Sequence, residues 1–421
     1  MKKIFILLLL PLTVAAQKDP VPLLRQFMTG QHDYFRFNGS ILVAKNGNII
    51  YHQNFGYADY NTKRLLNDST AFELASLSKQ FTAMGIMILK EKKLLSYEDN
   101  VKKFFPGLPY DSITIRHLLT HTSGLPYYES QFEKNWNHKK IAHNKDVVDM
   151  LIKERDSLFF KPGTKMQYSN TGYALLAAII EKVSNMSYND FMAKNIFQPL
   201  GMTHTFIYNT RRSTGKIPAN YALGFVYSDS LKRYIVPDSL KQYDYVYYLD
   251  GIVGDGTVNS TPGDLLIWDR ALYSSPLVSK STLEEMLSPQ VQLSPRDSTV
   301  FYGFGVNIQT KTPKGRVISH TGSWPGYSTV MIRSVQTGEA IIVLSNNETL
   351  NGQVRLGIEA IMDGEDLLMP YEHKEIKINP ALLDKYVGKY SAFLTLEFIK
   401  KDGKLWRHRN GTADIELKPE S

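Results

Sequence analysis

The sequence predicts a mixed fold of the α/β (α+β) type: an antiparallel sheet covered by helices, with a mostly helical lobe between its strands. Three observations predict it. Two β-branched, apolar runs lie near the start, residues 40–44 and 48–51. A helix-rich middle follows, and strand-like runs return only late, at residues 315–319, 327–335 and 339–345. Strands at both ends with helices between them form one sheet most simply if the two ends of the chain meet.

The elements follow in order. Met1-Lys2-Lys3 is basic, residues 4–14 are apolar, and Thr13-Val14-Ala15-Ala16 offers small residues for cleavage. That pattern predicts a signal peptide over residues 1–16, too short to be a spanning helix. The catalytic domain is expected over residues 17–370. Asn46-Gly47 between two apolar runs is a hairpin signal. Helices are predicted over residues 76–89, 174–183 and 187–200, the last capped by Ser187. Thr337-Gly338 joins the two late strands, and an amphipathic helix over 350–362 closes the region. Residues 371–380 read as a polar linker before a β-rich extension over 381–421, with tight turns at Asp402-Gly403 and Asn410-Gly411. About three short strands cannot bury a core alone. The extension therefore packs on the main domain, pairs with a partner, or is a truncated module.

With 421 residues, 43% of them hydrophobic, the chain can build a large core. It contains no cysteine, hence no disulfide framework and no lipid-attachment cysteine after the signal. The net charge of +8 is spread along the chain without a lysine block or arginine-rich arm, which argues against nucleic acid as a partner. An exported protein, periplasmic or secreted, with no transmembrane segment in its mature form is expected.

The chemistry centres on "ELASLSKQFTA", residues 73–83. Ser76 and Lys79 are three apart, so on a helix they share a face, whereas Ser78 points elsewhere. A serine hydroxyl is a poor nucleophile until a base takes its proton. A lysine, near pKa 10.4 in water, becomes such a base when desolvation or neighbouring charge lowers that value. The apolar run 81–89 supplies the desolvation. By itself the spacing is weak: Ser213-Thr214-Gly215-Lys216 matches it too, in a polar loop.

Two further stretches change the weight. "PGTKMQYSNTGYALL" contains Tyr168-Ser169-Asn170, and "ISHTGSWPGYST" contains His320-Thr321-Gly322 at the end of a strand. In this order the three motifs resemble the serine β-lactamase and penicillin-binding-protein superfamily. The branch they resemble holds class C β-lactamases, D-Ala-D-Ala carboxypeptidases, D-aminopeptidases and esterases. "ITIRHLLTHTSGL", "GIVGDGTVNSTPGDLLIW" and "YGFGV" add to the likeness, which spans about residues 26–363. The resemblance implies a β-lactamase/transpeptidase-like fold and a serine hydrolase without cofactor or metal. It implies that Ser76 is acylated while Lys79 and Tyr168 share its proton, and that Asn170 bonds Lys79 and the substrate amide. It places the oxyanion hole at the backbone N–H groups of Ser76 and Ser323. Substrate would lie along His320, Thr321, Gly322 and Ser323, with Gly322 leaving room for it. No Ser-Asp-Asn and no deacylating glutamate is apparent, so Tyr168 is expected to serve deacylation. Where many β-lactamases carry lysine this chain carries His320, expected to pair with a substrate carboxylate only when protonated, below about pH 6.5.

Other candidates are weaker. His117 and His121, four apart on a predicted helix, lack a third metal ligand. Residues 243–248 and the pair Tyr127 and Tyr128 are open between lining a pocket and packing. The leading expectation is an exported hydrolase of an ester or amide, with a D-amino-acid peptide, peptidoglycan fragment or small ester as substrate. A true β-lactamase and a catalytically silent peptidoglycan sensor are the alternatives.

Overall fold

The hairpin at the start of the chain forms as its turn chemistry requires. In the computed structural model, which describes residues 19–349, 351–391, 395–408 and 414–420, Asn46 and Gly47 have φ of 51° and 76°. Two successive left-handed residues match the right-handed twist of flanking strands. The strands they join, β1 (Gly39–Lys45) and β2 (Asn48–Phe55), form one edge of an eight-stranded antiparallel sheet. The other six come late: β3 (Val291–Ser294), β4 (Asp297–Tyr302), β5 (Asn307–Thr312), β6 (Gly315–Trp324), β7 (Tyr327–Ser334) and β8 (Glu339–Ser345). The order is β3-β4-β5-β6-β7-β8-β1-β2, and β8 pairs with β1 from Ser345 opposite Gly39 to Glu339 opposite Lys45. The two ends of the chain thus meet in one sheet.

Along the central strands β7, β8 and β1 both faces are buried, and the period of two divides their side chains between two cores. Ile41, Val43, Val330, Ile332, Ile341 and Val343 pack under two helices, α1 (Val21–Phe35) near the start and α7 (Asn351–Asp363) near the end. Leu42, Ala44, Met331, Ile342 and Leu344 face the helical lobe. Within the lobe run α2 (Lys79–Glu91), α3 (Ile115–Leu119), α4 (Tyr128–Asn135), α5 (Asn170–Ser184) and α6 (Pro262–Ser274). In α5 every residue from Thr171 to Ile180 is buried, and this helix packs against α2. Among the described residues no helix is long and apolar enough to cross a membrane.

Several boundaries differ from those predicted. The helix expected over 76–89 is a 3-10 turn, Ala75–Ser78, leading into α2. The one expected from 174 starts at Asn170, because Ser169 caps it by accepting from the Gly172 N–H at 3.3 Å. The segment after Ser187 is capped as expected but changes to a π-helix over Ala193–Phe197. His320-Thr321-Gly322 lies inside β6 and not at its end, since the strand runs on to Trp324. His117 and His121 share no helix face: α3 stops at Leu119, and His121 has φ 57°.

After Pro370, strands Gly388–Ser391, Thr395–Lys401, Lys404–His408 and Ile415–Leu417 form a separate four-stranded antiparallel sheet beside the 3-10 segment Pro380–Lys385. The expected signal segment and the Asn410-Gly411 turn lie outside the described residues.

Candidate active site

The short strand Phe72–Glu73 pairs with Val258–Ser260 and carries the chain to the front of the sheet. Ala75 then adopts φ 48°, a left-handed conformation that is uncommon outside glycine. The 3-10 turn that follows delivers Ser76 to the rim of a cavity and Lys79 to the first position of α2. Lys79 is completely buried; its Nζ donates to Ser76 Oγ at 3.0 Å and to the Asp255 carbonyl at 2.7 Å. Ser78 faces away, and its Oγ accepts from the Val258 N–H at 3.1 Å. The spacing therefore pairs Lys79 with Ser76 despite the change of helix type.

Tyr168 is 37% exposed, with its ring centroid 4.9 Å from Lys79 Nζ. The same ring packs at a tilt against His121, with centroids 4.3 Å apart. His121 is buried and accepts the Ser169 N–H at Nδ1, 3.1 Å away. Burial, then the neighbouring Lys79 and the repulsion any proton on His320 would add, hold its pKa well below the ordinary histidine value. Sequence reasoning weighed His121 only as a metal ligand; here it is a neutral ring supporting Tyr168. Among the described residues no group of three or more potential ligands is placed to hold a metal ion.

Asn170 begins α5 and lines the same cavity, but its expected bond to Lys79 is not formed. Its Nδ2 donates instead to Glu129 Oε1 at 2.7 Å. Burial raises the Glu129 pKa against the lowering effect of this bond. The sequence offered no sign of that carboxylate, which lies 41 residues away at the start of α4. Asp255 was also missed, although it lies in one of the quoted motifs. It is partly buried, its Oδ2 accepts from the Tyr128 hydroxyl at 2.7 Å, and desolvation raises its pKa while Lys79 lowers it. Tyr128 thus lines the cavity, whereas Tyr127 packs on Phe159. Of residues 243–248, Tyr243 and Tyr245 line a neighbouring groove that shares Ser323 and Trp324 with the main cavity.

On β6, Thr321 and Ser323 are exposed and Ser323 lines the cavity. Gly322 meets a packing requirement of its own. A Cβ there would run into the Leu74 carbonyl and Thr329 Oγ1. Thr329 Oγ1 donates to that carbonyl at 2.8 Å, fastening β7 to the segment that carries Ser76. His320 is only 3% exposed. Its Nδ1–H donates to the Thr321 carbonyl at 2.6 Å, which leaves Nε2 to accept from the Tyr302 hydroxyl at 3.2 Å. Burial first, and the Lys79 charge second, lower its pKa to about 4. His320 is therefore neutral through the physiological range, and the expected carboxylate clamp that switches near pH 6.5 does not exist.

This constellation is matched by kinship. A family model described as Beta-lactamase covers residues 23–365. The chain belongs to the β-lactamase family. It is similar to penicillin-binding protein 4* of Bacillus subtilis (strain 168), at 46% identity over 398 residues, 92% of this chain and 87% of that protein. Among solved structures, a penicillin-binding protein from Bacillus halodurans matches with a TM-score of 0.70 at 25% identity, over 80% of this chain and 98% of that one. The D-amino acid amidase from Ochrobactrum anthropi SV3 matches with a TM-score of 0.65 at 25% identity, over 81% and 99%. Membership makes the chain a serine hydrolase of the acyl-enzyme type, and its fold is that of the β-lactamase/transpeptidase group.

Proposed function

We propose that Ser76 is the acylated residue of an exported hydrolase that cleaves an ester or amide in a D-amino-acid peptide, peptidoglycan fragment or small ester. The observation that carries this reading is the 3.0 Å bond from a completely buried Lys79 to Ser76 Oγ at the rim of the cavity. Ser76 Oγ forms a bond to the substrate carbonyl carbon as its proton passes to Lys79 and Tyr168. The backbone N–H groups of Ser76 and Ser323 stabilise the oxyanion. The bond to the leaving group breaks as that group takes the proton. Water then attacks the acyl carbon, delivers a proton through Tyr168 back to Ser76, and releases the acid.

A β-lactamase proper needs a cation for the substrate carboxylate, and buried, neutral His320 does not provide one. A silent sensor would have no use for a buried lysine bonded to a serine. Export rests on the signal pattern of residues 1–16, with the catalytic unit over 17–370; the mature N-terminus of secreted material tests it. The acyl-enzyme assignment is tested by intact mass after treatment with a fluorophosphonate or penicillin probe. One covalent adduct is expected, absent from Ser76→Ala.

A further inference from the structure

The turn 253–258 is tied by its backbone to its surroundings on both sides of Asp255. Val253 meets Asn144 twice, its N–H donating to Oδ1 at 2.9 Å and its carbonyl accepting from Nδ2 at 2.8 Å. The Gly254 carbonyl accepts from Thr82 Oγ1, one turn along α2, at 2.6 Å, and the Val258 N–H donates to Ser78 Oγ at 3.1 Å. Gly254 has φ 100°, and a Cβ there would run into the Tyr173 carbonyl of α5. These anchors fix Asp255 relative to Lys79. Its carbonyl accepts from Lys79 Nζ at 2.7 Å, while the Tyr128 hydroxyl holds its Oδ2 at 2.7 Å.

A lysine that takes the Ser76 proton becomes an ammonium. Lys79 Nζ donates to Ser76 Oγ and to the Asp255 carbonyl, and neither is charged. A charge formed in so buried a place with neutral partners alone is costly. His121 and His320, which face Lys79, can add only positive charge, and Tyr168 and Tyr173 offer their rings, centred 4.9 and 5.7 Å from Nζ. Two carboxylates feel the Lys79 charge, Glu129 and Asp255. Burial raises the Glu129 pKa; the bond from Asn170 is the main influence against it and Lys79 a minor one. For Asp255, burial raises the pKa and Lys79 is the foremost influence lowering it, ahead of the Tyr128 hydroxyl and the Gly256 N–H.

We infer that Asp255 is a positioning residue for acyl transfer: its carboxylate is the counter-charge that lets buried Lys79 take the Ser76 proton. The inference rests on the acyl-transfer reading of Ser76 and adds a residue to its machinery. As Ser76 Oγ bonds to the acyl carbon, its proton passes to Nζ, and the ammonium forms beside a carboxylate that the turn has already placed. Asp255 acts through Lys79 and not on the acyl carbon.

An anion beside an amine strengthens it as a base and keeps it protonated to higher pH. Removing the anion therefore has two separable effects. Labelling slows where Lys79 is already neutral, because a weaker base takes the proton. The acid limb of the pH profile moves to lower pH, because the neutral amine persists there. A mere loss of packing slows labelling without moving the limb.

The test uses the full chain and a small fluorophosphonate, measuring the saturating rate of Ser76 labelling and the apparent KI between about pH 5 and about pH 10. Asp255→Asn should lower the plateau rate by about 3–30-fold and move the acid limb lower by about 1 pH unit or more, with KI unchanged. Asp255→Ser, also neutral, should give the same pair of changes, so the outcome does not hang on one variant folding. Asp255→Glu keeps the charge and should hold the limb in place. An unmoved limb in the neutral variants overturns the inference, as does an equal movement in Asp255→Glu. A change confined to KI also overturns it, by making Asp255 a ligand contact. Absence of any adduct on Ser76 in the wild type would instead overturn the acyl-transfer reading, whereas an adduct with an unmoved limb removes only the role of Asp255.

Discussion

Two serines flank the same turn, and what each hydroxyl bonds separates their roles. Ser76 Oγ meets Lys79 at a cavity rim, while Ser78 Oγ is buried on the Val258 N–H. Ser76→Ala is expected to lower turnover by about 10⁴–10⁶-fold. Ser78→Ala should keep the adduct and lose about 1–3 kcal/mol of stability by stranding that N–H. Intact mass and denaturant melts check both, and an adduct on Ser76→Ala protein would refute the assignment. Tyr168→Phe keeps the ring packed against His121 and removes the hydroxyl alone. It should slow acylation and deacylation by about 10²–10⁴-fold with an unchanged melt, and normal pre-steady-state rates would show that the hydroxyl is idle. Buried His320 also bears on stability. Its folded pKa, about 4, lies below the unfolded value of about 6.5, so between these values the unfolded chain binds the extra proton and stability rises with pH. About 2.5 units at about 1.4 kcal/mol each give about 3 kcal/mol, present above about pH 6.5 and lost as pH falls towards 4. His121 is shifted in the same direction. His320→Gln should flatten part of the acid loss in urea melts at about pH 7.5 and about pH 4.5; an unchanged loss would place its cause elsewhere. At this scale the sequence made Ser76, Lys79 and Tyr168 readable because their short spacings carry the chemistry. It hid Glu73, Glu129 and Asp255, because a carboxylate becomes unusual only through burial by distant segments.

Elements were legible where local chemistry decides them and less so where the fold overrides it. Asn46-Gly47 dictated its hairpin, and Ser187 its cap. The 3-10 turn at Ser76 left no periodic mark, since the residues before α2 are bent by two tethers: the strand pairing of Phe72–Glu73 and the bond from Thr329 to the Leu74 carbonyl. A histidine in left-handed geometry at position 121 is equally invisible in a run that reads as helix. The same tethers make Gly322 a test of how the nucleophile segment is held. Its missing Cβ lets β6 lie against Leu74 and Thr329. Gly322→Ala forces the strand and the turn apart, with a cost of about 1–3 kcal/mol as an overpacked site. Labelling of Ser76 should fall by more than the loss of folded protein explains, because the two N–H groups proposed for the oxyanion sit on the two segments being separated. Labelling in proportion to the folded fraction would show that the oxyanion donors do not depend on this contact.

Across the whole molecule, the pairing of β1 with β8 joins the two ends of the main domain in one sheet. The helices α1 and α7 repeat the arrangement one layer out: Phe27 of α1 lies directly over Gly357 of α7, and both helices cover the same sheet face. This long-range closure was legible as strands at both ends of the chain, because a sheet edge must be paired or covered. The extension after Pro370 is different in kind. Its strands pair with one another, and its buried side chains, Leu383 and Leu405, lie within it. Its described links to the main body are local, with Pro370 against Gly30 of α1 and His373 against Phe35 at 5.3 Å. None of the residues lining the cavity beside Ser76 comes from it. A chain ending at Pro370 should therefore fold, label at Ser76 at the full-length rate, and melt within a few degrees of the full chain. If that chain folds but fails to label, the extension shapes the site through contacts beyond these two; if it fails to fold, the small sheet is part of the domain's stability and not an appendage.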